Sequence, residues 1–228
     1  MQRLRYFSAF EWCLILFSYT AILLTFFLFD GVEYFKLASS LIGIAALVFS
    51  AKGNPMGPLL MILFALAYGV ISFSFAYYGE VITYLGMSLP MSVWAFVSWF
   101  RHPSSKGHAE TAVGAVHAKE WGRILLYTAG VTVSFYFILS ALDTPNIIPS
   151  TFSVSTSFAA AYLTARRSPY FALAYALNDV VLIVLWVLAT IADIGYLSVT
   201  ACFTVFLIND LYSFFNWRRM SKRQSEQP

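Results

Sequence analysis

Residues 50–55 (SAKGNP) recur 114 positions later as residues 164–169 (TARRSP) without a gap. Each copy ends one apolar stretch and begins the next. Farther along the chain, residues 98–101 (SWFR) match residues 216–219 (NWRR) at an offset of 118, so the second copy needs four extra residues. These matches predict two copies of a single three-helix design.

The apolar stretches around these junctions are long enough to cross a lipid bilayer. The chain is 60% hydrophobic and 11% charged, whereas a soluble domain carries about 25% charged residues. A helical crossing needs about 20 apolar residues. The sequence therefore predicts an all-α polytopic membrane protein with eight transmembrane helices, at residues 8–29, 35–51, 55–78, 80–101, 121–142, 146–165, 168–192 and 194–217.

The charges divide sharply between the two sides of these helices. When crossings are counted from the N-terminus, 13 of the 14 Lys and Arg fall on one side and only Lys36 falls on the other. The opposite turns carry acidic residues, namely Asp30, Glu33, Glu80, Asp143 and Asp193. Lys and Arg accumulate in cytoplasmic loops, so we expect both termini in the cytoplasm. The basic tail then orients the protein in the membrane, and no nucleic-acid partner is expected.

Both junctions fall on the same side, which requires the two copies to have the same orientation and a single helix to connect them. The predicted units are an extra N-terminal helix (1–34), a first bundle (35–102), a loop with the connecting helix (103–145), a second bundle (146–217) and a basic tail (218–228). A parallel repeat of this kind is a transporter design in which the solute binds between the halves near the midplane. A channel could use the same symmetry.

Ionisable residues inside a membrane usually mark a binding site or pathway, because they are costly in hydrocarbon. Asp179 lies near the centre of its predicted helix. Counted from Tyr175, Asn178 lies at i+3, Asp179 at i+4 and Trp186 at i+11, so the four residues share one helical face. We therefore interpret this face as a solute-binding surface.

The last helix and the first copy supply further candidates for the solute site. Asp210 lies about two turns from the end of the last hydrophobic stretch, and the repeat aligns it with Ser92. The complete set of additional candidates is Tyr84, Ser88, Ser92, Asn209, Asp210 and Tyr212. The alternative is that these groups only form hydrogen bonds between helices, as polar side chains commonly do in membrane bundles.

Catalysis and metal binding receive no support from the sequence. The three histidines, at positions 102, 108 and 117, lie in one loop and lack metal-site spacing. Cys13 and Cys202 lie far apart inside apolar stretches, which favours packing roles. No nucleotide-binding loop of the G-x-x-x-x-G-K-[ST] type is present. We expect no catalytic residue, no cofactor, no metal and no primary energy source.

Several short motifs resemble those of one transporter family, the PnuC-type vitamin-nucleoside transporters. The motifs are Gly53-Asn54-Pro55, Tyr77-Tyr78-Gly79-Glu80, Leu89-Pro90-Met91, Trp99, and the end of the last helix, from Phe206 to Asn216-Trp217-Arg218. The resemblance extends from about residue 35 onward, and the three-one-three layout also resembles that of SWEET-type transporters. Two positions depart from the nicotinamide riboside members: Ala172 and Tyr175 replace a W-x-x-W pair, and Ser92 replaces a Gln.

The resemblance implies uptake of nicotinamide riboside across a bacterial cell membrane by facilitated diffusion with alternating access. A functionally coupled cytoplasmic kinase would trap the solute. Relatives that carry deoxyribonucleosides or thiamine are the alternatives, and a membrane scaffold or sensor subunit is the alternative from another class. The expected partners are the solute and the lipid bilayer, and whether the chain forms a homo-oligomer stays open.

Overall fold

The computed structural model describes residues 6–29, 31–74, 78–104, 109–144, 146–192 and 194–226. Arg3, Arg5, Asp30, Tyr77, Lys106, His108 and Asp193 lie outside these ranges. The described chain is built from helices: α1 (Ala9–Phe29), α2 (Tyr34–Ala51), α3 (Met56–Ser74), α4 (Tyr78–Val81), α5 (Leu89–Arg101), α6 (Ala118–Ala141), α7 (Ile147–Ala165), α8 (Tyr170–Ala192) and α9 (Leu197–Ser225). This confirms the predicted fold class.

Seven described helical segments are long and apolar enough to cross a membrane, with α4 and α5 forming one segment, Tyr78–Arg101. The eighth predicted crossing is α7, whose 19 residues span about 29 Å at 1.5 Å per residue. Helix α7 is rich in hydroxyl side chains, and it buries Thr151, Ser155 and Thr156. It packs against α5, α6 and α8. Because these hydroxyl side chains are buried against protein, α7 does not need an apolar surface all round, and its outer face carries the exposed Ile148 and Phe152.

Two helices differ from their predicted course. A π-helical segment, Ile82–Ser88, joins α4 to α5. Pro90 follows it, and proline can neither donate a backbone hydrogen bond nor fit against the carbonyl four residues earlier, which accounts for the wider turn. Helix α9 continues through the basic tail to Ser225, since Lys and Arg near a helix C-terminus interact favourably with its dipole.

The two predicted copies form two interlocked halves. We call α2 to α5 the first half and α7 to α9 the second half. Helix α2 packs against α9, and α5 packs against α7, so each half contacts the other through its first and last helices. Helix α6 lies along α7, and α1 lies against α2 and α9.

Two tryptophans join the halves at one end of the bundle. The Trp99 indole of the first half donates a 2.7 Å hydrogen bond to the Thr164 carbonyl of the second. Reciprocally, the Trp217 indole donates a 2.8 Å bond to the Ser50 carbonyl. The repeat relates both donors and both acceptors. The two rings lie 5.1 Å apart, and both side chains are fully buried.

The same end gathers the basic residues. We call it the basic end, and it comprises residues 51–55, 99–104, 109–120, 164–170 and 216–226. Gly53 and Arg167 occupy equivalent positions and both have left-handed backbones, with φ of 66° and 57°. The Gly53 carbonyl accepts a hydrogen bond from the backbone N–H of Thr111, and the Arg167 carbonyl accepts one from that of Gly114. One loop therefore ties both junctions together.

The outward faces of the helices carry large exposed apolar side chains. Examples are Phe27, Leu125, Phe137 and Ile191. Exposed apolar surface of this extent marks contact with a partner or membrane, and a belt around the whole bundle fits a bilayer. The protein is a multi-pass membrane protein.

We expect the basic end to face the cytoplasm, because Lys and Arg are retained there. In a background lacking Cys13 and Cys202, a membrane-impermeant thiol reagent added outside cells should label Thr144→Cys and spare Ser225→Cys. Labelling of Ser225→Cys in intact cells, with Thr144→Cys protected, would overturn this orientation.

Candidate solute site

One face of α8 points into the bundle and the other towards the surrounding lipid. Asn178 and Asp179 are buried, and Tyr175 and Trp186 are half-buried. Leu177, Val180 and Val184 lie on the opposite face of the helix and are exposed. The face identified from helical spacing is therefore the inward face.

Asp179 and Asp210 form the centre of this inward region. Each is only 3% exposed, and the two carboxyl groups lie close enough together to interact. We call them the carboxyl pair. Among the described residues, the Asp179 Oδ2 atom has no hydrogen-bond partner. Two ionised carboxylates repel each other strongly when buried together, so such a pair requires a positive charge, from either a proton or a bound cation.

Helix α7 orients the amide of Asn178. The Thr156 hydroxyl donates a 2.8 Å hydrogen bond to the Asn178 Oδ1 atom, and the Ser153 hydroxyl donates a longer one of 3.3 Å. Two donors on the amide oxygen fix the plane of the amide, which directs its NH₂ group away from α7. A fixed amide donor of this kind can recognise a hydroxyl or carbonyl group of a solute.

The first half supplies an aromatic surface. The Tyr84 ring lies 5.1 Å from that of Tyr68, which lies 4.7 Å from that of Phe64. Trp186 packs against the same buried cluster. Tyr84 belongs to the π-helical segment, and such irregular turns occur frequently at functional sites.

The repeat shows that the two halves contribute different chemistry. At the offset of 114, Phe64 and Ala65 of the first half correspond to Asn178 and Asp179 of the second. The first half is therefore aromatic where the second is polar. Applying this offset along α3 would also have pointed to Tyr68, the counterpart of Leu182, which the sequence analysis missed.

The remaining candidates from the sequence lie outside the region around the carboxyl pair or at its edge. Asn209 donates a 2.9 Å hydrogen bond to the Ser18 hydroxyl of α1, and the Tyr212 hydroxyl donates to Glu11 of α1 at 2.7 Å. Both therefore face α1 rather than the carboxyl pair. Ser88 and Ser92 are half-buried. The structure places Tyr175 near Asp179 and Asp210, with Asn178 beside them on the inward face of α8, and it packs Tyr84 and Trp186 against one buried cluster.

The two positions of the missing W-x-x-W pair share one neighbouring cluster but differ in their polar neighbours. Ala172 is fully buried in the cluster that contains Trp99 and Trp217, and Tyr175 packs against that cluster while it also lies near both members of the carboxyl pair. Of these two positions, Tyr175 is the one that borders the candidate site.

A family comparison identifies the kind of protein that carries this site. The profile described as "Nicotinamide mononucleotide transporter" matches residues 33–219. The chain belongs to this family. Helix α1 precedes the matched region.

Two bacterial proteins named "Nicotinamide riboside transporter PnuC" are similar to the chain. The protein from Neisseria mucosa is 25% identical over 211 residues, which cover 88% of this chain and 78% of the relative. The protein from Haemophilus influenzae is 22% identical over 193 residues, which cover 84% and 82%. These relatives confirm the PnuC resemblance and the prediction of a transporter rather than an enzyme.

A solved structure has the same fold. The structure described as "Crystal structure of the Vitamin B3 transporter PnuC" superposes with a TM-score of 0.81 at 22% identity, covering 96% of this chain and 94% of that one. The likeness covers nearly the full length of both chains, so the described helices are arranged as in that structure.

Proposed function

We propose that this chain carries nicotinamide riboside into a bacterial cell by facilitated diffusion with alternating access. The basic end faces the cytoplasm, where a kinase phosphorylates the solute and traps it. Family membership and the names of the relatives support this cargo. The observation that carries the proposal is the carboxyl pair, two acidic side chains buried together on α8 and α9 of the second half.

The chemistry of the site suits a cationic nucleoside. The nicotinamide ring carries a positive charge, which can neutralise a carboxyl pair that holds one proton. Aromatic faces add cation–π attraction of about 0.5–2 kcal/mol. The amide of Asn178 can donate to the ribosyl hydroxyls or the carboxamide. The arrangement therefore provides one group for each part of the solute.

The two interlocked halves support a mechanism of alternating access. In parallel-repeat transporters, one half rocks against the other around a fixed central site. Asp179 lies near the middle of α8, and the contacts of α2 with α9 and of α5 with α7 are the surfaces that would move.

Uptake should equilibrate in proteoliposomes without any imposed ion gradient. We expect labelled nicotinamide riboside to reach the same concentration inside and outside when the membrane potential is clamped at zero. Proton or sodium gradients should leave that plateau unchanged. Concentrative uptake only with such a gradient would instead identify the carboxyl pair as a coupling site, and an absence of uptake would reject the cargo.

Removing the carboxyl pair should discriminate between cargoes. Asp179→Asn combined with Asp210→Asn deletes the negative charge, so nicotinamide riboside affinity should fall at least about a hundredfold, or about 2.7 kcal/mol. A neutral deoxyribonucleoside should lose much less. Each single variant should lie in between, because the remaining carboxylate can still balance one cation. Calorimetry on purified protein measures both solutes, with Asp143→Asn as the control.

If the double variant binds nicotinamide riboside with wild-type affinity, the carboxyl pair is not its counter-ion. A larger loss for the deoxyribonucleoside than for the cation would favour the neutral cargo.

Asn178→Ala should weaken nicotinamide riboside binding about tenfold to a hundredfold. An unsatisfied buried polar partner costs about 1–3 kcal/mol, and each 1.4 kcal/mol is a factor of ten. The matched control is Asn209→Ala, which removes the same side chain from the surface that faces α1. Equal losses in both variants would contradict a direct role for Asn178.

A further inference from the structure

Two ion pairs occupy equivalent places at the basic end. Glu11, the third residue of α1, accepts a 2.9 Å hydrogen bond from Lys52. Glu120, the third residue of α6, accepts a 3.0 Å hydrogen bond from Arg166. Both glutamate side chains are buried, at 6% and 5% exposure. The repeat relates Lys52 to Arg166.

The sequences around the two glutamates also match. Residues 9–12 read AFEW and residues 118–121 read AKEW. Helix α1 lies outside the family match, which begins at residue 33, whereas α6 lies inside it. In this chain, α1 therefore supplies a buried glutamate to the first half, as α6 does to the second.

Each ion pair holds a junction whose carbonyl binds a tryptophan of the other half. Lys52 lies two residues after Ser50, which accepts from Trp217, and Arg166 lies two residues after Thr164, which accepts from Trp99. Glu11 also accepts a hydrogen bond from Tyr212 of α9. The ion pairs therefore fix the acceptors on which the contact between the halves depends.

Along α9, Trp217 lies between Asp210 of the carboxyl pair and the basic tail. The Phe171 ring packs against both tryptophans, 6.1 Å from Trp99 and 5.0 Å from Trp217. We call these three side chains the aromatic plug. Ser213 lies on α9 between Asp210 and Trp217, is 1% exposed, and has no described hydrogen-bond partner for its hydroxyl.

We infer that the aromatic plug is the gate at the basic end, and that Glu11 and Glu120 are positioning residues that keep it closed. The inference rests on the proposed alternating access. Opening this end requires the Trp99 and Trp217 hydrogen bonds between the halves to break. Buried carbonyls that lose their donor gain by becoming hydrated, so removing an indole N–H favours the conformation that is open at the basic end.

The position of Ser213 permits a direct test in membrane vesicles. Cys13 and Cys202 are replaced by Ser, and Ser213→Cys serves as the reporter. A membrane-impermeant thiol reagent is added to either face of oriented vesicles, and the rate of modification is measured from each side.

Trp99→Phe and Trp217→Phe should each raise labelling from the basic end about tenfold and lower it from the opposite side, since the two conformations exchange population. Glu11→Gln and Glu120→Gln should act in the same direction but less strongly. The control is Trp12→Phe, a half-exposed tryptophan on α1 at the same end, which should change neither rate.

A rise in labelling from both faces would mean that the substitutions merely loosen the bundle, and unchanged rates would mean that the plug does not gate. Either result overturns the inference. The readout requires no solute, so it is independent of the cargo. If vesicles carry no nicotinamide riboside but labelling shifts from one side to the other, the gate stands and the proposed cargo fails.

Discussion

The reciprocal hydrogen bonds from Trp99 to Thr164 and from Trp217 to Ser50 are the contact on which the arrangement of the two halves depends. Each is buried, each crosses between halves, and each joins positions related by the repeat. An unsatisfied carbonyl inside a bundle costs about 1–3 kcal/mol, so neither half can turn away without replacing these bonds. Their placement at one end leaves the middle of the interface for the polar side chains of α8 and α9.

The two halves contribute different side chains to that central region, although the repeat gives them the same arrangement of helices. The second half provides Asn178 and the carboxyl pair, and the first half provides the rings of Phe64, Tyr68 and Tyr84. A solute with a charged ring and a polar sugar needs both kinds of surface, and a duplicated fold can supply them by specialising each copy. Helix α7 supports this division because its hydroxyl groups fix the Asn178 amide.

The sequence predicted the features that local patterns encode. Long apolar stretches located the helices, and helical spacing placed Asn178 and Asp179 on one inward face. The contact of Asp179 with Asp210 could not be predicted in this way, because it depends on how α8 and α9 pack. For the same reason Asn209 and Tyr212 were grouped with the solute site, although α1 occupies their side of α9. The AFEW and AKEW match was present in the sequence, and it would have shown that α1 and α6 are counterparts.

The central claim is that the solute binds between the aromatic surface of the first half and the carboxyl pair of the second. An experimental structure of the protein with nicotinamide riboside bound tests this claim most directly. The account predicts the pyridinium ring within about 6 Å of an aromatic face and beside Asp179 and Asp210, with the Asn178 amide bonded to the sugar or carboxamide. A ring bound instead between α1 and α9, against Asn209 and Tyr212, would contradict it.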